Sequence, residues 1–159
     1  MDKALIAEAS KKLRLRSIIL YEGNLKRFES LPEAGELGQQ IKSGVKSEIL
    51  SYSDVDEQSP LFRVFTDLGV RVVKLTGEPE TEPEPLFQIE AIFQIDYEMT
   101  DTVEQAALEE FAKYNAVHNV WPFWRQYVFS MANQAGLPCP EIPLNTCFQS
   151  LENDSEKPV

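Results

Sequence analysis

Apolar and polar positions alternate along residues 85–98, where Phe87, Ile89, Ala91, Phe93, Ile95 and Tyr97 are interleaved with Gln88, Glu90, Gln94 and Asp96. A period of two places one set of side chains on each face of a strand, so this segment predicts a strand with one apolar and one wet face, Ile92 being the exception on the wet side. Such a strand suits an antiparallel sheet, because a parallel sheet covered on both faces reads as a continuous apolar run. Leu61–Leu75 has the same character, with Phe62, Val64, Leu68, Val70 and Val72 set against Arg63, Asp67 and Arg71, and with Phe65 and Val73 blurring it. Ile41–Ser51 is a weaker third strand and Leu13–Tyr21, rich in branched aliphatics, a fourth. The stretch LKRFESLPEAGELGQQ between these two is too long for a tight hairpin and predicts a crossover or flap.

After Met99 the period lengthens. Ala107, Leu108, Phe111 and Tyr114 form a helical stripe that Thr102 is placed to cap, and Pro122 stands where it would open a second helix carrying Trp121, Trp124, Val128, Met131 and Ala135. Gly136 and Pro138 predict its end. Four strands followed by helices is an α+β order: a four-stranded antiparallel sheet with helices on one face, in a single domain over residues 1–150, with LENDSEKPV (151–159) as a polar, flexible tail. Two helices leave much of the aromatic surface uncovered, which points to association between chains.

Of the 159 residues, 43% are hydrophobic and 26% charged, the balance of a folded protein and not of a disordered or disulfide-stapled one. The net charge of -11 sits in one quarter of the chain: between Leu75 and Ala112 there are eleven acids and no Lys or Arg. Binding to nucleic-acid phosphate or anionic lipid is disfavoured by that charge. The acidic run begins with GEPETEPEP, whose alternating Glu and Pro favour an extended, solvated loop between two strands. No apolar run is long enough to span a membrane and the N-terminal segment lacks a signal-peptide core, so a cytoplasmic location is expected. Cys139 and Cys147 match no zinc or redox spacing and read as free thiols; the lone His118 lacks the partners of a metal site.

Catalytic signatures are missing: the chain has no phosphate-binding glycine loop, no nucleophile elbow and no HExxH. No catalytic residue, cofactor or metal is assigned, and a non-enzymatic role is expected; a small-ligand binder walled by aromatics is an alternative. Trp121, Phe123, Trp124, Tyr127 and Phe129 fall within nine residues and therefore surround a helix, so that some face the sheet and others a partner or groove.

The runs LFQIEAIFQIDYEM and HNVWPFWRQYVFSMANQAGLPCPEIPL resemble the last strand, main helix and following loop of the protein-export chaperone SecB family; the helix entry is Trp121, Pro122, Phe123, Trp124 and Arg125, followed by Gly136, Leu137, Pro138 and Pro143. The resemblance covers residues 13–148 in element order and is motif-specific in 86–144. It implies a homotetramer, a dimer of dimers with helices between eight-stranded sheets, that holds unfolded preproteins or other non-native polypeptides without ATP or metal. It makes Phe87, Tyr97, Trp121, Phe123 and Trp124 candidates for core, oligomer or client-binding roles. It also makes Glu22 and Glu90 candidates for docking the SecA motor. Arg14 and Arg16 in the first strand, and the short end SLENDSEKPV in place of a longer C-terminal helix, depart from export members. Divergent SecB-like chaperones that partner toxin–antitoxin systems share the aromatic segment and are the alternative reading.

Overall fold

The computed structural model describes residues 1–144 except 29–30, 32–34, 51–58, 76 and 79. The expected tail 151–159 and Cys147 lie outside the described residues. Four strands, β1 (Leu13–Arg27), β2 (Leu37–Leu50), β3 (Leu61–Lys74) and β4 (Glu84–Met99), form one sheet in the order β1-β4-β3-β2 with every neighbour antiparallel. The expected hairpin is β3–β4, joined through the acidic segment, where Gly77 takes a left-handed φ of 72° that side chains rarely adopt. Strands β1 and β2 end up on opposite edges, so their connection is the predicted crossover.

The alternation in β3 and β4 is realised. Phe62, Val64, Leu68 and Val70 of β3 and Phe87, Ile89, Phe93, Ile95 and Tyr97 of β4 are buried on one face, the inner one. Phe65 turns to the other face, and Val73 is buried beside Val72 because the β3–β4 register shifts there. The edge strands are more exposed and run further than their patterns indicate, β1 to Arg27 and β2 from Leu37.

Three helical findings differ from the sequence reading. A helix α1 (Lys3–Lys12) precedes the sheet: the Asp2 carboxylate accepts from the backbone N–H of Ala4 and Leu5 at 2.9 and 3.3 Å, and Lys11 and Lys12 oppose the negative end of the helix dipole. Thr102 does not cap the next helix. Its own N–H is held by Asp101 at 2.7 Å, and α2 (Gln105–Glu110) starts after Glu104 without a side-chain cap. Finally, Pro122 opens no new helix, because α2 passes through a π-helical stretch (Phe111–Ala116) directly into α3 (Val117–Gln134), with Pro122 inside. A proline there forfeits the bond to the His118 carbonyl, but both residues lie on the exposed side, where water substitutes. The end is as predicted: Gly136 at φ 63° follows Ala135, and the Leu137 N–H returns to the Ala132 carbonyl at 2.9 Å.

The helical run over 105–134, about 45 Å long, lies across the inner face and buries Val117, Val120, Trp121, Trp124 and Val128. Its contact with β1 is close enough that a Cβ at Gly23 would collide with the Tyr127 hydroxyl, so a larger residue there would have to displace that side chain.

Candidate functional site

Of the aromatic candidates, four are in the core. Phe87 is buried on β4. Tyr97 meets Phe111 edge-on at 5.0 Å and accepts a hydrogen bond from Asn119 Nδ2 at 2.9 Å; burial pushes its phenol up to about 12. The Trp121 indole N–H donates to the Pro143 carbonyl at 2.7 Å and so straps the post-helix segment to α3. Trp124 is fully buried and stacks on Tyr127 at 6.2 Å. Phe123 instead points outward and is 50% exposed; Phe129 shares that exposure. The helix thus has an inward aromatic side that is filled and an outward one that is open.

The inner face is incompletely covered at one edge. Ile41, Val45 and Ile49 of β2 occupy inner-face positions opposite Val70, Thr66 and Phe62, yet are 39%, 38% and 46% exposed, because the helical run lies mainly over β3 and β4 and reaches β2 only at the π-helical stretch. Between them is a groove of about 410 Å³, lined by Ser43, Val45 and Ser47 on one side and Glu109, Ala112 and Lys113 on the other. Further along β2, the Gln39 side chain accepts from the Glu141 N–H at 2.7 Å and donates to the Glu141 carbonyl at 3.0 Å. Sequence reading missed this groove. The signal was Ile41, Val45 and Ile49 on a strand with no helical partner in view, but what makes it a site is the distance at which a remote helix passes.

The outer face is built from charge. Glu22 and Glu90 both lie on it, as alternation placed Glu90, Glu22 opposite Ile92 and Glu90 opposite Asn24 and Gly69. Lys42 bridges Asp67 at 3.0 Å and Glu90 at 3.1 Å, and those carboxylates raise its ammonium above the ordinary value. The bridge from β2 to β4 passes over Gly69, where any Cβ would press on Glu90 Cγ at 3.3 Å. Arg63 grips Asp96 with two bonds of 2.7 and 2.8 Å and holds that carboxyl below its ordinary value; Gln94 adds a third bond at 3.2 Å. A carboxyl shifted downward stays ionised and is a poor general acid. Amid the charges, Tyr21 and Phe65 meet edge-on at 5.3 Å.

One sheet of order β1-β4-β3-β2 with a long helical run crossing its inner face is a SecB-like fold. The solved structure of the Mycobacterium tuberculosis Rv1957 SecB-like chaperone, in complex with a ChAD peptide from the Rv1956 HigA1 antitoxin, superposes with a TM-score of 0.73 at 14% identity, over 91% of this chain and 98% of that one. No family model and no curated protein matches the sequence. Among the described residues no helix is long and apolar enough to cross a membrane.

Proposed function

We propose that this chain is an ATP-independent chaperone of the holdase type, which keeps non-native polypeptide from aggregating by seating it in the groove beside β2. The observation that carries the reading is the row Ile41, Val45 and Ile49, left open on the inner face of a fold shared end to end with a peptide-bound chaperone. Apolar side chains at such a site make non-directional contacts that accept varied sequences. Phe123 and Phe129 on the outward side of α3, together with two open sheet edges, supply the surfaces a dimer of dimers requires. Phe87, Tyr97, Trp121 and Trp124 then act as scaffold, and the assembly works in the cytoplasm.

For the downstream partner, the outer face favours an antitoxin-type client over handover to SecA. Glu90 is tied to Lys42, which it shares with Asp67, and to the Gln88 amide, so its carboxylate is less free than that of Glu22 to capture a motor electrostatically. The test is native mass spectrometry of the protein alone and mixed with a slowly folding polypeptide diluted from denaturant. Four chains retaining one unfolded client is the expected species. A monomer that ignores the client and instead takes up one small molecule per chain would replace this reading with ligand binding.

A further inference from the structure

The outer face of the sheet follows row by row from the strand register. Directly paired residues share a face, so each row runs from β1 through β4 and β3 to β2. Ile19, Gln94, Phe65 and Lys46 make one row, and Glu22, Ile92, Asp67 and Gly44 the next. Tyr21 stands at the β1 bulge beside them with its ring against Phe65. Together these rows form an apolar belt across the middle of the face, in which Ile19 is 47% and Tyr21 60% exposed. Charged rows flank the belt on both sides, with Asp96, Arg63 and Glu48 on one and Glu90 and Lys42 on the other. An apolar centre inside a charged rim is the anatomy of an association surface. Acids and bases are interspersed over it, so this face carries none of the excess behind the chain's net charge of -11. The two ends of the belt differ in sign: Glu22 lies at the β1 end and Lys46 at the β2 end, and neither has an ion-pair partner among the described residues.

A belt with opposite charges at its ends fits a second copy turned end for end. We infer that two copies of this chain associate outer face to outer face, about a two-fold axis that runs parallel to the strands between β3 and β4. That rotation lays β1 of each copy over β2 of the other and keeps every row opposite itself. Glu22 then faces Gly44 of the second copy, where no side chain stands between Lys42 and Lys46. Tyr21 enters the hollow of about 470 Å³ beside Gly44, which Lys46, Phe65 and Ile92 also line. Arg16, beside the Ser17 row, comes opposite Glu48, and Arg63 of each copy comes opposite Asp96 of the other. No row sets like charges against each other. An axis across the strands at the belt fails that condition, because it brings Asp96 against Glu90 and Arg14 against Lys26. Four strands and six such rows offer roughly 700 Å² per copy, close to the ~800 Å² per partner of a standard interface. Two sheets with aligned strands are a common face-to-face packing. This contact lies on the side of the sheet away from α3, so it neither uses Phe123 nor depends on the holdase reading. It covers Glu22 and Glu90, and therefore competes with any motor for the same face.

The test is sedimentation velocity of the full chain over a range of concentrations at low salt, with urea unfolding to show that each variant folds as wild type. The wild type should double the number of chains it holds at its lowest concentration, and about 0.5 M salt should weaken that step by about tenfold. Glu22→Lys and Lys46→Glu each set like charges against each other twice in the symmetric contact, so either alone should weaken the doubling by about tenfold or more. Mixed in equal amounts, the two variants should regain the wild-type step to within about threefold, since each supplies the charge that the other has reversed. Tyr21→Ser, which removes an exposed ring from the belt, should weaken the step by about fivefold. A chain number independent of concentration would overturn the contact. So would a doubling that neither charge reversal moves, or a mixture no better than its separate components, which would deny the two-fold arrangement. A doubling lost in Phe123→Ala and kept in Tyr21→Ser would also overturn it, by placing the second copy on the helix side.

Discussion

The two faces of the sheet use the same four strands and opposite chemistry. On the inner face Phe62, Ile89, Ile95, Tyr97 and Trp124 are sealed from water, and stability there comes from area and packing. On the outer face stability comes from partners: Arg63 with Asp96, Lys42 with Asp67 and Glu90, Tyr21 with Phe65. A packed face tolerates little change in volume, whereas a paired one tolerates changes of shape and responds to pH and salt. The open groove lies where the packed face ends, at β2, so it offers apolar surface without the sealing that the core provides.

The largest difference should appear on truncating the inner face. Trp124→Ala, which empties the centre of the helix–sheet contact, is expected to cost about 3–5 kcal/mol in urea unfolding. A loss under ~1 kcal/mol would mean that α3 is not seated as described. The next contrast is in pH. Asp96 is held below its ordinary value of 3.8, so the stability it contributes is present above that value and is lost as pH falls below about 4. Tyr97 is buried as the neutral phenol with its ionisation raised to about 12, so its contribution is whole below pH ~10 and is lost as pH rises from there to about 12. Asp96→Asn should flatten the acid limb of the stability curve and leave the alkaline limb alone; Tyr97→Phe should do the reverse. Either variant altering the other's limb would join faces that the structure separates. Smallest of all, Glu90→Gln should change stability by no more than ~0.5 kcal/mol, because its pair with Lys42 is largely solvated. A larger loss, abolished by high salt, would raise the outer network from surface decoration to a structural element.

How much of this was legible follows from which residues had only one environment to satisfy. Phe87 to Tyr97 read clearly because β4 is central, with one face under the helices, so every second position answers to a single demand. β1 was read short because past Tyr21 this edge strand carries Glu22, Asn24 and Lys26 as ordinary surface residues and only Leu25 packs on the core, while Gly23 lies beside Tyr127 from across the fold. α1 was missed because ten residues make a weak helix by themselves, and this one is secured by its Asp2 cap and by the Asp2 N–H donating to Glu110 at 2.8 Å, a contact no local pattern reveals. Pro122 misled because the penalty of an interior proline depends on whether the deprived carbonyl meets water. The aromatic cluster at 121–129 announced a helix packed on two sides, yet periodicity alone could not say that Trp121 and Trp124 face in and Phe123 faces out. The groove depends on Val45 and Ala112 meeting from different parts of the chain, and pattern within either segment says nothing about their separation.

The π-helical stretch at Phe111–Ala116 acts as a phase setting for everything after it. A π turn accommodates one residue more than an α turn, and one residue is worth about 100° of rotation about the helix axis. A homologous chain lacking a single residue in this stretch would run as uninterrupted α-helix and carry the following segment around by that angle, moving Trp124 off the sheet and bringing another face of α3 beneath it. Single-residue gain or loss at this point is thus a one-step evolutionary route to exchanging the buried and presented sides of the helix, open to lineages without rewriting the aromatic segment itself.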